Sequence, residues 1–439
     1  MGLKTFKRGV HPYDGKELSK DCKIRAISAD KQMVFPLQQG IGAPAKACVS
    51  VGDRVLKGQM IAQAGGYVSS PIFSSVSGVV KKIEDRLTIS GNKVNSIVIE
   101  NDGLDETVAD FNQPRKIDNL NSDDIIDIIK NSGIVGLGGA GFPTSVKLSP
   151  KNPNDIDTII INGAECEPYI TTDYRIMLEK SDALIKAIKA ILKLFPNAKA
   201  IIGIENNKPE AIKIMQEKSV GEEKISVQPL KTKYPQGGER QLIYAITGRR
   251  LNSKMLPADK GCIVVNAASC YAIYEAVYLN IPLVHTVMTV TGDGVHTPCN
   301  LDVPIGISHT KLLEEAGGAR DNVVKYISGG PMMGFAMGSL DVPVVKTSSS
   351  ILAFTKDDVA MLPQSNCIHC GRCAKVCPEI LVPQMMGKAV KSNSFEKFAD
   401  LGGMECIECG CCTFVCPAKI PLTQMFKLGK VRVREMSSK

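Results

Sequence analysis

Hydrophobic and polar positions change rhythm four times along this chain. Through roughly the first hundred residues the apolar positions come in short β-branched runs: MVFPL, then pieces of KACVSVGDRVLKGQMIAQAGGYVSSPIFSSVSGVVKKIE, then NSIVIEND. Gly, Pro and Ser punctuate these runs, which predicts a compact all-β module. From about Asn119 the spacing turns helical: NSDDIIDIIKNSG has acidic residues in its first turn and Gly133 after its last. An alternation of strand and helix follows. IDTIIING, AKAIIGIE, KISVQPLK and GCIVVN read as buried strands. RIMLEKSDALIKAIKAILKLF reads as one long amphipathic helix, with KPEAIKIMQEK, GERQLIYAITGRR and AASCYAIYEAVYL as further helices. This order predicts a largely parallel, layered sheet. Beyond Pro282 short strands return (LVHTVMTVTG, NVVKYISG) around one helix, HTKLLEEAGG, as a β-rich module. VPVVKTSSS reads as a linker, and from about Ile351 the chain reads as helical and cysteine-rich.

The expected architecture is therefore multidomain α/β. Residues 1–115 hold the β module, 116–281 an α/β domain, 282–350 a β-rich module and 351–439 a helical, cysteine-rich domain. The length of 439 residues supports several cores, and 44 % apolar residues with a mean hydropathy of +0.01 exclude a disordered chain. No apolar run approaches the length of a membrane span. The opening MGLKTFKRGVHPYDGKE lacks the apolar core of a secretory signal, so a reducing compartment is expected and the 15 cysteines need a purpose other than disulfides. A net charge of +8 without dense basic stripes disfavours nucleic acid and suits an acidic protein partner or an anionic surface.

Most of those cysteines fall in the one strong internal repeat. CIHCGRCAKVCP (367–378) and CIECGCCTFVCP (406–417) both have the form C-x2-C-x2-C-x3-C-P. Three closely spaced thiolates wrap one face of a cubane iron–sulfur cluster, and the fourth ligand comes from elsewhere. In the two-cluster arrangement the last cysteine of each run serves the other cluster. That assigns Cys367, Cys370, Cys373 and Cys416 to one [4Fe-4S] cluster, and Cys377, Cys406, Cys409 and Cys412 to the second. Structural zinc is the alternative, but zinc sites pair C-x2-C units and seldom close on Cys-Pro. Cys411 breaks the spacing and is expected to be a bystander. His369 is expected to face outward. Cys22, Cys48, Cys262, Cys270 and Cys299 are expected to be small buried hydrophobes.

A second constellation surrounds GLGGAGFPTSVKL (136–148). A glycine cluster lets backbone N–H groups approach a phosphate or a flat ring that a Cβ would hold off. It is neither the Rossmann fingerprint nor a Walker loop. INGAECEPYITTDYR places Asn162, Glu165 and Glu167 just past a buried strand, where open α/β sheets bind ligands. KYPQGGERQLIYAITG adds Tyr234, Gly237, Gly238 and Glu239 at the start of a helix. Read alone, without the glycine loop, these carboxylates are better explained as helix caps or solvated loop charge.

Together these segments resemble the flavin- and NADH-binding subunit of respiratory complex I, from about residue 117 to the first cluster. The resemblance implies noncovalent FMN on Gly136, Gly138, Gly139 and Gly141, with Lys147 near the flavin or its phosphate and Phe142 stacked on the adenine of NADH. Asn162, Glu165 and Glu167 would line the pocket; Tyr234, Gly238 and Glu239 would form the opposite wall, with Asn266 nearby and Glu165 as the catalytic residue. The family's Arg after the first Gly is Leu137 here, its Asp before the first Glu is Ala164, and its Gly-Glu-Glu is Gly237, Gly238 and Glu239. The second cluster, the extra β module and the opening TFKRGVHPYDGKELS extend the likeness over nearly the whole chain to the RnfC-type component of Rnf complexes, the ion-translocating ferredoxin:NAD+ oxidoreductases.

That resemblance implies electron passage between two [4Fe-4S] clusters, FMN and NAD+/NADH. It also implies other subunits of a membrane complex as partners, a ferredoxin-like iron–sulfur subunit among them, and a peripheral position on the cytoplasmic side of the membrane. H+ or Na+ translocation would belong to the assembly. The β module is similar to lipoyl and biotinyl domains, as a barrel-sandwich hybrid, but its turn AGGYVSS has no lysine for a prosthetic arm, so a docking scaffold is expected. Residues from about Pro282 to Gly334 resemble a soluble-ligand-binding β-grasp (SLBB) module. The alternatives are a cobalamin reductase of the microcompartment type and a relay subunit without flavin. The basic tail MFKLGKVRVREMSSK suits a partner, lipid headgroups or plain solvation.

Overall fold

The α/β domain is built on four strands whose apolar runs are nearly continuous, because helices cover both faces. The computed structural model describes residues 3–357 and 361–437; the first two residues of the opening and the last two of the basic tail lie outside these. The four strands are all parallel, in the order Ile225–Leu230, Lys199–Glu205, Thr158–Gly163, Cys262–Asn266. Helix Ser122–Asn131 starts on a capping box between Asn121 and Asp124, as its acidic first turn predicts. Helix Ser181–Leu194 buries Leu184, Ile185, Ile188 and Ile191. The stretch read as one long helix is two, Thr172–Glu179 and Ser181–Leu194. Lys180, at φ −124°, leaves helical geometry between them.

The N-terminal module pairs a four-stranded antiparallel sheet (Arg54–Val55, Gly78–Leu87, Lys93–Asn101, Gln32–Pro36) with a three-stranded one (Lys46–Ala47, Met60–Gln63, Ile72–Phe73). Met33, Phe35, Val55, Ile61, Ile97 and Ile99 form its core. The fourth sheet has six strands, ordered Ile24–Ala26, Cys299–Pro304, His285–Thr291, Ser350–Phe354, Lys325–Ser328, Phe335–Ala336. Helix His309–Glu315 buries Leu312 and Leu313 among the same core residues.

Two readings of the sequence change here. Ile24–Ala26 does not join the β module but pairs in parallel with Cys299–Pro304. VPVVKTSSS is no linker: Val342, Val344, Val345, Lys346 and Ser348 are buried. Ser350–Phe354, read as opening the helical region, is an interior strand between His285–Thr291 and Lys325–Ser328.

The cysteine-rich region packs helices Pro383–Lys391, Phe395–Asp400 and Leu422–Ser437 around Met386, Val390, Phe398, Leu422 and Phe426. The N-terminal strap ties the parts together. Lys4 bridges Leu230 at the edge of the parallel sheet, Val10 and Tyr234 exchange backbone hydrogen bonds of 2.9 Å, and Gly9 N donates to Val376 O at 3.0 Å.

Candidate functional site

The strand order of the parallel sheet reverses between Thr158–Gly163 and Cys262–Asn266, since the strand following the first lies on its far side. Ligands of open α/β sheets bind in the crevice that such a reversal leaves at the carboxyl ends of the strands. Asn162 and Asn266 are register partners at those ends. The glycine loop lies over them. Val135 and Pro143 bridge its base, and Gly136 N donates to Phe142 O at 2.9 Å. Leu137 is buried, and its N–H donates to Ser269 Oγ at 2.8 Å; the position that carries Arg in complex I is therefore part of the core here.

Gly138 sits against Asn266, whose Nδ2 would lie 2.7 Å from a Cβ added there. Gly139 is exposed, and a Cβ there would meet nothing within 4 Å. The protein's own packing thus does not demand glycine at 139, and the face of the loop is open there.

The rim is polar. Lys147 Nζ donates to Val264 O at 3.0 Å and pairs with Glu239 Oε1 at 3.2 Å, joining the loop to the helix Glu239–Thr247. Asn162 Nδ2 donates to Gly237 O at 2.9 Å, and Gly237 N donates to Cys166 Sγ at 3.2 Å. Asn266 caps the helix Ala267–Leu279, accepting from Ala268 N and Ser269 N, while its Nδ2 donates to Asp173 Oδ2 at 2.7 Å. Phe142 is half-buried beside the loop. Thus Gly136, Gly138, Gly139, Phe142, Lys147, Asn162, Gly238, Glu239 and Asn266 gather at the strand ends, whereas Gly141 is buried behind the loop against Gly40 and Thr347.

Glu165, Glu167 and Tyr234 lie deeper. Glu165 takes a positive φ of 47°, which turns its carboxylate under the helix Thr172–Glu179; Asp173 N donates to Oε1 at 2.6 Å and Tyr174 N to Oε2 at 3.3 Å. Both oxygens are committed to that helix end. Glu167 reaches the turn at 330–332, accepting from Met332 N at 3.2 Å, and its Oε1 is buried without a partner. Burial pushes its carboxyl up to about 7. Tyr234 is buried, and its hydroxyl donates to Cys409 O at 2.8 Å, so this wall touches the cysteine-rich region directly.

Sequence reasoning missed the buried charges behind this wall. Lys16 donates to Glu167 O at 2.9 Å and to Ile170 O, and burial lowers its pKa. Lys208 donates to Ala164 O at 2.7 Å and pairs with Glu205 at 3.4 Å. Burial pushes Asp173 up to about 7, with the neighbouring Glu165 adding to the rise. Burial also raises the Cys166 thiol. Asp173 carried a signal, because Thr-Thr-Asp opens a helix; buried lysines carry none.

In the cysteine-rich region the repeat is visible in the backbone. His369 and Glu408, Gly371 and Gly410, and Ile380 and Lys419 occupy equivalent places in the two runs, and each has positive φ. Short helices Arg372–Val376 and Cys411–Phe414 follow the two glycines. Cys373 lies beside Cys370 and Cys416. Cys377, Cys406, Cys409, Cys411 and Cys412 line one cavity with Leu381, Met386 and Phe426. Thiols spread around a cavity fit a multi-atom cluster, and among the described residues no set of His, Cys, Asp or Glu closes tightly on a single ion. Cys367 and Cys370 are exposed, as is His369, whereas Cys411 is buried against Tyr234 O. Of the cysteines expected in the core, Cys262, Cys270 and Cys299 are buried. Cys22 is only half-buried and Cys48 is exposed, because its two-residue neighbour strand Lys46–Ala47 lies at a sheet edge.

Comparison with known proteins agrees with this layout. The chain matches the RnfC barrel sandwich hybrid domain over residues 4–104 and the Nuo51 FMN-binding domain over 129–275. It matches the SLBB domain over 287–336 and the 4Fe-4S dicluster domain over 361–424. It is 45 % identical over 384 residues to the C component of the proton-translocating ferredoxin:NAD(+) oxidoreductase complex of Clostridium ljungdahlii, covering 88 % of this chain and 84 % of that one. It is 39 % identical to the Na(+)-translocating counterpart of Acetobacterium woodii, covering 97 % and 96 %. A crystal structure of an NAD+-reducing [NiFe]-hydrogenase in the air-oxidized state shares the fold at TM-score 0.50 and 19 % identity, over 64 % of this chain and 54 % of that one. The chain belongs to the RnfC family, the C components of ion-translocating ferredoxin:NAD(+) oxidoreductase complexes.

Proposed function

We propose that this protein is the NAD(H)-reactive electron-transfer subunit of an Rnf-type complex. It carries electrons between two [4Fe-4S] clusters, FMN and NAD+/NADH while the whole assembly translocates H+ or Na+. The observation that carries the reading is the crevice at 136–141, 162 and 266, joined through the Tyr234 hydroxyl to the backbone of Cys409. A bound FMN supplies the conversion between the paired electrons of hydride and the single electrons of a cluster.

The chain's own residues do the holding. Gly136, Gly138, Gly139 and Gly141 form the bed, and the open face at Gly139 accepts the flat ring. Lys147, anchored to Val264 O, presents a cation at the rim for an anionic group, with Asn162 and Asn266 as the polar floor. Phe142, Gly238 and Glu239 border the mouth where NADH enters. Glu165 holds the turn of its segment through the helix cap, so its role is to position rather than to touch substrate. Glu167 and Tyr234 form the wall toward the clusters. Cys367, Cys370, Cys373 and Cys416 hold one cluster, and Cys377, Cys406, Cys409 and Cys412 the other.

Among the described residues no helix is long and apolar enough to cross a membrane. We place the protein peripherally on the cytoplasmic side, held by the membrane subunits, with a ferredoxin-like iron–sulfur subunit among its partners. The test is an anaerobic NADH titration of the full chain after FMN and iron–sulfur reconstitution. The expected result is flavin bleaching followed by the EPR signal of a reduced cluster. Clusters that form while flavin neither binds nor bleaches would leave only a relay.

A further inference from the structure

The β module has the shape of a carrier domain and lacks the lysine of one, which leaves its purpose open. Its contacts supply an answer. The turn Gln39–Ile41 of this module lies directly behind the glycine loop: Ile41 N donates to Ala140 O at 2.8 Å. Gly40 and Gly141 pack backbone to backbone. A Cβ added to Gly40 would lie 2.8 Å from Gly141 O, and one added to Gly141 would lie 2.9 Å from Gly40 Cα and 2.7 Å from Thr347 Cγ2.

The same turn is pinned from a third side. Lys346 N donates to Gln39 Oε1 at 3.0 Å. The buried Lys346 ammonium donates to Ser70 Oγ at 2.9 Å and Pro71 O at 2.6 Å in the β module, and to Gly133 O at 2.8 Å just before the loop. Among the described residues no carboxylate shares these contacts. All three donors of the ammonium are spent on joining the β module, the approach to the glycine loop and the segment leading into strand Ser350–Phe354. A cavity lined by Leu37, Gln39, Ser70, Val135, Gly141 and Lys346 lies between these parts. The back of the loop is therefore not packed solid, and a few polar tethers fix its height above Asn162 and Asn266.

Resting on the flavin reading above, we propose that the β module is an intramolecular clamp on the flavin bed, with Gly40, Gln39 and Lys346 as positioning residues for the loop Gly136–Phe142. The module does not carry a group to the site; it sets where the site's floor and bed stand relative to each other.

The test uses the full chain carrying its clusters, with FMN as the probe. Gly40→Ala wedges the two glycines apart, and Lys346→Met cuts the three-way tie. Val51→Ala, at an exposed turn of the β module outside that cavity, is the control. Losing one or two such tethers raises the FMN dissociation constant about tenfold or more. Deuterium uptake at 136–142 quickens in the flavin-free chain, and the flavin midpoint potential shifts. Iron content and the cluster EPR spectrum stay as in the parent, and Val51→Ala matches the parent throughout. Should Lys346→Met fail to fold, Gly40→Ala and the local deuterium uptake still decide. If the parent binds FMN and Gly40→Ala binds it equally, with unchanged exchange at 136–142, the clamp is wrong and the flavin reading stands. If the parent takes up no FMN, both fall.

Discussion

Lys208→Met removes one partner of an ion pair whose side chains are each 2 % exposed, with Nζ 3.4 Å from Glu205 Oε2. At an effective dielectric of about 20 the attraction at that separation is roughly 5 kcal/mol. Two desolvation penalties of several kcal/mol offset it, so the intact pair contributes little net stability. Cutting it in half does not share that cancellation. Glu205 stays buried, still accepting from Lys233 N at 3.0 Å, and Ala164 O loses its 2.7 Å donor in the segment that carries Asn162 and Glu165. The expected cost is about 3–5 kcal/mol, or roughly 10 °C in the melt of the α/β domain.

Burial already raises the Glu205 carboxyl, and Lys208 opposes that rise; without Lys208 the carboxyl climbs further. A raised carboxylate contributes stability that is present at low pH and lost as pH rises through its folded value, so the deficit of Lys208→Met should be small near pH 5 and grow toward pH 8. The double variant Glu205→Gln/Lys208→Met, which buries no charge, should recover at least half of the loss. Thermal melts of the three variants at both pH values provide the measurement. A single variant within about 1 kcal/mol of the parent, or a double variant no better than the single, would refute the argument.

Glu167 titrates from an ordinary 4.5 to about 7 in the fold, so its contribution to stability is complete below pH 4.5 and fades as pH rises through 7. Over that window the parent should lose about 3 kcal/mol relative to Glu167→Gln, as chemical denaturation at pH 4.5 and 8 would show. Arg240 joins Glu379 and Glu405 of the cysteine-rich region at 3.1 Å each, and Arg240→Met should loosen that joint by about 2 kcal/mol or more, seen as faster deuterium uptake at 379–405 with the α/β strands unchanged. Cys409→Ser should cost about half the iron, whereas Cys411→Ser should keep all of it; equal iron loss in both would overturn the ligand assignment.

What the sequence made legible follows from how local each signal is. The strands IDTIIING, AKAIIGIE and GCIVVN are short apolar runs between helical patterns, and such runs have few options other than a parallel sheet. The cysteine repeat fixes its cluster chemistry by spacing alone. The break at Lys180 left no mark, because the apolar period of the following helix continues almost in phase across it. Ser350–Phe354 was hidden by the serines before it: composition suggested a linker, while the strand's partners at His285–Thr291 and Lys325–Ser328 are distant in sequence. In the site, the glycines and Asn162 were legible because backbone approach and strand ends restrict residue type. Lys16, Lys208 and Lys346 were not, since a lysine is ordinarily a surface residue and only tertiary contacts reveal that it is buried. The direction of the Glu165 carboxylate was equally hidden, because it depends on a positive φ at that residue.

The N-terminal strap has a consequence for how the molecule is made. Lys4 finds Ile246 O, 242 residues away, and Arg8 finds Ala374 O, 366 residues away. The strap is thus synthesised before its seats, which do not exist until the α/β domain and the first cysteine run have been made. By (3/2)RT ln n, closing so long a loop costs about 5 kcal/mol, but each doubling of length adds only about 0.6 kcal/mol, so the distance itself is a weak obstacle. Its effect is one of order. Until the strap lands, the Leu230 end of the edge strand Ile225–Leu230 stays uncovered, a surface that invites pairing with another nascent chain. Premature termination before residue 374 leaves part of the strap without its seat, so truncated products should be more prone to aggregation than their buried cores alone would suggest.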